Sequence, residues 1–254
     1  MKIPREQYQE LSAGKSIPYT FEIKKDSQVL FYFGANHSRD PRDKQYPVLR
    51  KYWKKFLTQK DKKLVFVEGV LRNPRLTEKE AIQTGSEGSY ITVLAARKKI
   101  PIICPEPSRK DIITLLRRKF TEDQILYYEF ASLIDHWRRG KPKPEFMTWI
   151  KAVMAQESAK LNAKNLTLEH MTKIHRRIFK KAFNHRQPKF FNHIINPNRT
   201  DSIINQVARM SSDIRERVII KQIKKEWDSG HSLFVVYGSG HAFIQEPILR
   251  KLLT

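Results

Sequence analysis

A chain of 254 residues, 40% hydrophobic and 11% aromatic, can bury a substantial core, which excludes disorder as a description of the whole. The lone Cys104 excludes an internal disulfide framework and a cysteine-based zinc site. A net charge of +23 permits long-range attraction to nucleic acid, anionic lipid or an acidic substrate, and says nothing about fold.

The opening MKIPREQYQELSAG lacks the apolar centre of a signal peptide. No apolar run approaches the roughly 20 residues that span a bilayer, so a cytoplasmic protein is expected. Residues 28–33 (QVLFYF) are a short apolar, aromatic-rich run that predicts a buried strand. Pro47 then opens a helical pattern carrying Val48, Leu49, Tyr52, Trp53 and Phe56. A second strand is predicted at 63–67 (KLVFV), stopping at Glu68-Gly69, and a helix at 89–97. A third strand, 100–104 (IPIIC), ends against Pro105 and Pro107. Strands alternating with helices in this order predict βαβ units and a parallel sheet.

From 111 to 186 the patterns are helical, with almost no strand signal. A helix is expected at 112–120, Thr121 reads as the N-cap of the next, and a Gly and two prolines mark 138–146 as a linker. A helix at 166–184 places Leu168, Met171, Ile174 and Ile178 on one face and Lys173, Arg176, Arg177, Lys180 and Lys181 on the other. Seven basic residues and no acidic one lie between Met171 and Phe190, and Phe190 and Phe191 are candidate base-stacking rings. This helix is the candidate contact for nucleic acid or an acidic membrane surface; a solvated basic face is the plainer reading. A helix at 211–227, a last strand at 232–237 and a terminal helix from Pro247 complete the chain. The expected fold is α/β, a mainly parallel central sheet with flanking helices. It divides into a first α/β part (1–108), a basic helical insertion (109–190) and a second α/β part (191–254).

Two strands run out into the same spelling, GANH at 34–37 and GSGH at 238–241, and a third ends in VFVEG. Ligands of open α/β sheets bind beyond the carboxyl ends of the strands. Three strand ends therefore offer His37, Glu68 and His241 to one region. A longer echo accompanies them: Gln45, Pro47, Leu49, Arg50 and Lys51 match Gln245, Pro247, Leu249, Arg250 and Lys251. The histidine-to-proline spacing is four residues longer in the first copy. Asn36 and Asp40 flank His37, Glu87 sits in the glycine-rich GSEG, Glu106 tips the third strand, and Gln245 opens the last helix. These five are candidates for lining the crevice and binding substrate. His170, His175, His185 and His193 lack ligand spacing and read as surface or core residues.

The pieces GANH (34–37), FVEG (66–69), GSEGSYITVLAARKKIPIICPEPS (85–108), DIRERVIIKQI (213–223) and VVYGSGHAFIQEPILRKLL (235–253), in this order, resemble the TraB/Tiki and erythromycin-esterase-like/ChaN superfamily. The resemblance covers roughly 28–108 and 205–254 and leaves out 109–190. It implies a hydrolase site of His37, Glu68 and His241, with Arg215 adding positive charge. Tiki-like members imply metal-dependent hydrolysis, the two histidines and the glutamate holding a divalent ion; such donors suit zinc or manganese. Esterase-like members imply a metal-free route in which a histidine is the general base, Glu68 orients it and Arg215 stabilises the oxyanion. GANH departs from the Gly-Glu-x-x-His-Gly pattern of the esterase branch. A basic nucleic-acid-binding protein on a degenerate enzyme fold is the alternative.

Overall fold

The computed structural model describes residues 1–69, 71, 73–139, 144–161, 163 and 165–254. In chain order the elements are a 3-10 turn (Arg5–Gln7), α1 (Tyr8–Ser12), β1 (Tyr19–Lys25), β2 (Gln28–Ala35), α2 (Gln45–Leu57), β3 (Lys62–Val67), α3 (Glu78–Arg97) and β4 (Ile102–Ile103). Then come α4 (Arg109–Leu116), α5 (Glu122–Arg139), α6 (Phe146–Leu161), α7 (Leu168–Phe179), α8 (Pro188–Ile194), α9 (Ile203–Asp228), β5 (His231–Gly238) and α10 (Ser239–Leu253). Among the described residues, no helix is long and apolar enough to cross a membrane. The chain divides into two compact units, Met1–Glu106 with Arg215–Thr254, and Pro107–Ile214. The helical unit thus runs to Ile214, whereas the sequence reading closed it at 190; α8 and the first part of α9 belong to it. Of the 138–146 linker, residues 140–143 lie outside the described residues.

The first unit is built on a five-stranded sheet of order β1-β2-β5-β3-β4. All neighbours are parallel except the β1–β2 pair. Successive strand residues point to opposite faces, so a strand covered on both sides must be apolar throughout. Phe31, Phe33, Val65, Val67, Phe234 and Val236 pack toward Leu49, Trp53 and Phe56 of α2 and Ile82, Tyr90 and Ile91 of α3. On the other face, Leu30, Tyr32, Phe66, Val235 and Tyr237 meet Ile219, Ile223 and Trp227 of α9 and Leu249 of α10.

Several elements of this unit differ from the sequence reading. β1 was not foreseen: in YTFEIKK only Phe21 and Ile23 are buried, so no continuous apolar run announces it. β4 is two residues long because the Ile100 N–H still bonds the Ala95 carbonyl of α3 and Pro101 has no N–H to give. α3 begins at Glu78, under a Thr77–Glu80 capping box, and is broken by non-helical backbone at Gly85 and Ser86. α10 begins at Ser239 and carries Pro247 inside it; burial of Ala242, Phe243, Ile244 and Gln245 holds the preceding turns.

The helical unit has two cores. One gathers Tyr127, Phe130 and Ile134 of α5, Ile150 and Met154 of α6, Met171 and Ile174 of α7, and Phe191 of α8. The other packs Ile112 and Leu116 of α4 against Val207 and Ile214 of α9. α7 stops at Phe179, where Lys180 turns left-handed, so the basic helix is shorter than the expected 166–184. Phe191 is fully buried and Phe190 packs on His175 and Phe179, so neither ring is free to stack on a base. His170 pairs with Asp123, His175 with the Tyr127 hydroxyl, and His193 with Asp201, while His185 stacks on Phe146.

Candidate functional site

The strand order puts β5 between β2 and β3, so the two Gly-x-x-His ends and the Glu68 end emerge side by side at the carboxyl edge of the sheet. Register makes this close: Ala35 lies opposite Gly238, and Val67 opposite Val236. Glu68 is the hub. Its Oε2 lies 3.4 Å from His37 Nε2, its Oε1 lies 3.4 Å from His241 Nε2, and the Gly238 N–H donates to Oε2 at 2.7 Å.

Each imidazole has a second carboxylate behind it. His37 Nδ1 is 3.5 Å from Glu87 Oε2, and the Ser38 N–H donates to Glu87 Oε1 at 3.0 Å. His241 Nδ1 is 2.8 Å from Glu216 Oε1, off the line of a hydrogen bond. Glu216 is held in turn by the Gln245 amide at 2.7 Å and by Arg5 at 3.4 Å, and the Tyr32 hydroxyl donates to Gln245 at 2.9 Å. Arg215 completes the cluster, 2.8 Å from Glu106 and 3.7 Å from Glu68 Oε1, with the Gly69 N–H donating to Glu106 at 2.9 Å.

The two motif glycines clear space for each other's arm. A Cβ on Gly238 would stand 2.5 Å from His37 Nε2, and a Cβ on Gly34 would stand 2.8 Å from Ala242 Cβ and 3.1 Å from Ser239 Cα. Glycine is needed here for close approach, since neither residue has a positive φ. His37 itself sits at φ 55, a backbone region sparsely used by residues with a side chain. The motif echo survives folding: Gln45 and Gln245, like Leu49 and Leu249, are fully buried. Gln45 accepts from the Asn36 N–H at 3.0 Å.

Burial works against the imidazolium of His241, yet Glu216 and Glu68 outweigh it and lift its pKa to about 10. Burial would likewise raise Glu68, but His241, His37 and the Gly238 N–H hold it far below the usual carboxylate range. Glu216 is lowered too, its burial overcome by His241, Arg5 and Gln245. His37 is raised above its ordinary 6.5, chiefly by Glu87, against burial and with help from Glu68. Four carboxylates (Glu68, Glu87, Glu106, Glu216) thus face four basic groups (His37, His241, Arg215, Arg5). With both imidazoles protonated, the cluster is neutral.

Beside His37 a cavity of about 190 Å³ opens between Glu68, Gly69, Ser86, Glu87 and Tyr237. Among the described residues, the buried side-chain atoms without a hydrogen-bond partner are Gln45 Nε2, Ser89 Oγ, Tyr237 OH and His241 Nδ1. Tyr237 and His241 belong to this site, Gln45 opens α2 beside Asn36, and Ser89 lies in α3 two residues past Glu87. Buried polar groups are nearly always satisfied, so a cluster of exceptions marks a place where the fold yields to another demand.

Of the residues singled out from sequence, His37, Glu68, His241, Arg215, Glu87 and Glu106 come together. Gln245 reaches the site only through Glu216. Asn36 gives its backbone N–H to Gln45, and Asp40 turns away, exposed, to a two-point pair with Arg42 at 3.0 and 3.1 Å. Glu216, Arg5 and Tyr237 were not foreseen. Glu216 sits in the charged stretch DIRER, and the partners that bury it, His241, Gln245 and Arg5, belong to other parts of the chain.

Two imidazoles and a carboxylate form a donor set that zinc or manganese accepts. In this arrangement the two Nε2 atoms meet different oxygens of Glu68 rather than a shared point. Among the described residues, no group of three or more His, Cys, Asp or Glu side chains is placed to hold a metal ion. No family model, no curated protein and no solved structure matches the chain.

Proposed function

We propose that the carboxyl edge of the sheet is the active site of a hydrolase in which His37 is the general base. The observation that carries this reading is the pair of Gly-x-x-His imidazoles on the two oxygens of one carboxylate. The ordered likeness of the α/β segments to the TraB/Tiki and erythromycin-esterase-like/ChaN superfamily supports it.

His37 is the more exposed of the two histidines, 55% against 14%, and faces the cavity. Its neutral form takes a proton from water at Nε2, and Glu68 and Glu87 stabilise the imidazolium that results. Because those carboxylates raise its pKa above 6.5, the base form grows as pH rises through that raised value. His241, fixed as a cation by Glu216, keeps Glu68 ionised and oriented. Arg215, 3.7 Å from Glu68, adds the positive charge that favours a developing oxyanion.

Turnover of a panel of chromogenic esters and fluorogenic peptides tests the reading, with His37→Ala and Glu68→Gln beside the parent. Loss of hydrolysis in both variants, with folding intact, is expected. Hydrolysis that persists in both overturns it. Metal analysis of the parent against a His37→Ala/His241→Ala variant addresses a metal-dependent version. Equal metal content in the two removes that version.

A further inference from the structure

We propose that the exposed basic face of α7, with the turn that follows it, is a docking surface for the phosphate backbone of duplex nucleic acid. This function is separate from the chemistry at His37. α7 buries Met171, Ile174 and His175. Its opposite side carries Lys173, Arg176 and Arg177, followed past the helix end by Lys180, Lys181, Arg186 and Lys189. All seven are exposed.

Only two have local counterions: Lys173 meets Glu169 at 2.7 Å, and Arg177 meets Asp123 at 2.5 Å. Arg176, Lys180, Lys181, Arg186 and Lys189 have no ion-pair partner among the described residues. Lys173, Arg176, Arg177 and Lys180 together line one open hollow. At the rise of a helix, seven residues span about 10 Å, so these four charges form a compact row. Lys173 with Arg177 is a like-charge pair at i,i+4, which weakens a helix, and Lys180 adds a further cation just past the helix end. The helix dipole favours Arg176 and Arg177 in the last turn but does nothing for Lys181, Arg186 or Lys189 beyond it. A bound polyanion offsets the repulsion across the whole row.

The packing selects among polyanions. A helix that lies on a membrane needs a free apolar face. That of α7 is taken up by the core holding Leu126, Phe130 and Phe191. Single-stranded nucleic acid is held largely by aromatic stacking. Here Phe191 is fully buried, and Phe190 packs edge-on against Phe179 with ring centroids 4.9 Å apart. A charged row without rings or apolar wedges suits duplex phosphates, which are bound without reading bases.

The test is the salt dependence of binding to short mixed-sequence DNA and RNA duplexes, read by fluorescence anisotropy. The parent is compared with Arg176→Gln/Lys180→Gln/Lys181→Gln and with a charge-matched control, Lys25→Gln/Lys51→Gln/Lys98→Gln, at exposed positions of the other unit. The α7 variant is expected to lose slope in log K against log salt by about 2.7, at 0.9 per phosphate contact. It is also expected to melt at a slightly higher temperature, because three of the seven mutually repelling cations are removed. The control keeps its slope, His37→Ala keeps its binding, and whichever duplex binds more tightly identifies the source of the phosphates. Three results would each overturn the proposal: equal loss in the α7 variant and the control, equal affinity for a single strand, or binding to phosphatidylserine vesicles in place of duplexes.

Discussion

His37 and His241 close the same Gly-x-x-His pattern at the ends of adjacent strands, yet the chain presents them in opposite ways. His241 lies in the first turn of α10, 14% exposed, with Glu216, Gln245, Tyr32 and Arg5 stacked behind it. His37 sits in the loop before α2, 55% exposed, at a positive φ. The spacing from histidine to the following proline, ten residues from His37 and six from His241, is the sequence trace of this difference. The four extra residues make a loop where the other arm continues directly as helix. In the proposed reaction one arm holds a charge and the other exchanges a proton with what enters the cavity.

The largest contrast expected between the arms is in rate. His37→Ala should lower turnover by about 10²–10⁴-fold, the usual worth of a general base. Its cost in denaturant titration should be smaller than that of Glu216→Ala, since it leaves one buried carboxylate, Glu87, without its imidazole and keeps the His241 arm intact. Glu216→Ala should do the reverse, destabilising by about 3–5 kcal/mol because it strands buried His241 and Arg5. If the two variants have equal effects on stability, the division of labour between the arms is wrong.

Smaller effects sharpen the comparison. Tyr32→Phe removes the donor to Gln245 and should destabilise by about 1–3 kcal/mol, whereas Tyr237→Phe deletes a hydroxyl with no partner and should be neutral or slightly stabilising. Denaturation of the two side by side gives the order. The pH dependence follows from His241, whose folded pKa of about 10 exceeds the ordinary 6.5. Its contribution to stability is complete below 6.5 and is lost as pH rises through 10, so urea midpoints should fall across that window and fall less in His241→Asn. The smallest effect is a shift alone: Glu87→Gln removes the leading cause of the raised His37 pKa, so NMR titration should place it lower than in the parent.

Much of this geometry can be read from the chain. QVLFYF, KLVFV and SLFVVY are continuous apolar runs because their strands are covered on both faces, and the residues just past such runs must emerge at one edge. That logic brings His37, Glu68 and His241 together. It fails where the signal is not periodic. β1 alternates too weakly to stand out, and the break at Gly85–Ser86 hides the first half of α3. Glu216 looks like one more charge on a solvated helix, because only the fold brings His241, Gln245 and Arg5 around it. The end of the helical unit is hidden for a related reason: α9 is one uninterrupted helix across the division at Ile214 and Arg215, so no punctuation marks it.

The crossed clearance of the two glycines couples the two motifs, and couples them unequally. Position 238 answers to the imidazole at 37, and position 34 answers to the backbone and methyl group at 239 and 242. A substitution at either glycine is therefore felt at the opposite end of the chain, and at position 34 also by the Tyr19 carbonyl, 2.9 Å from such a Cβ. The contact at 238 is with the tip of a half-exposed side chain that can swing aside, whereas those at 34 include backbone, so Gly34 is the less replaceable of the two.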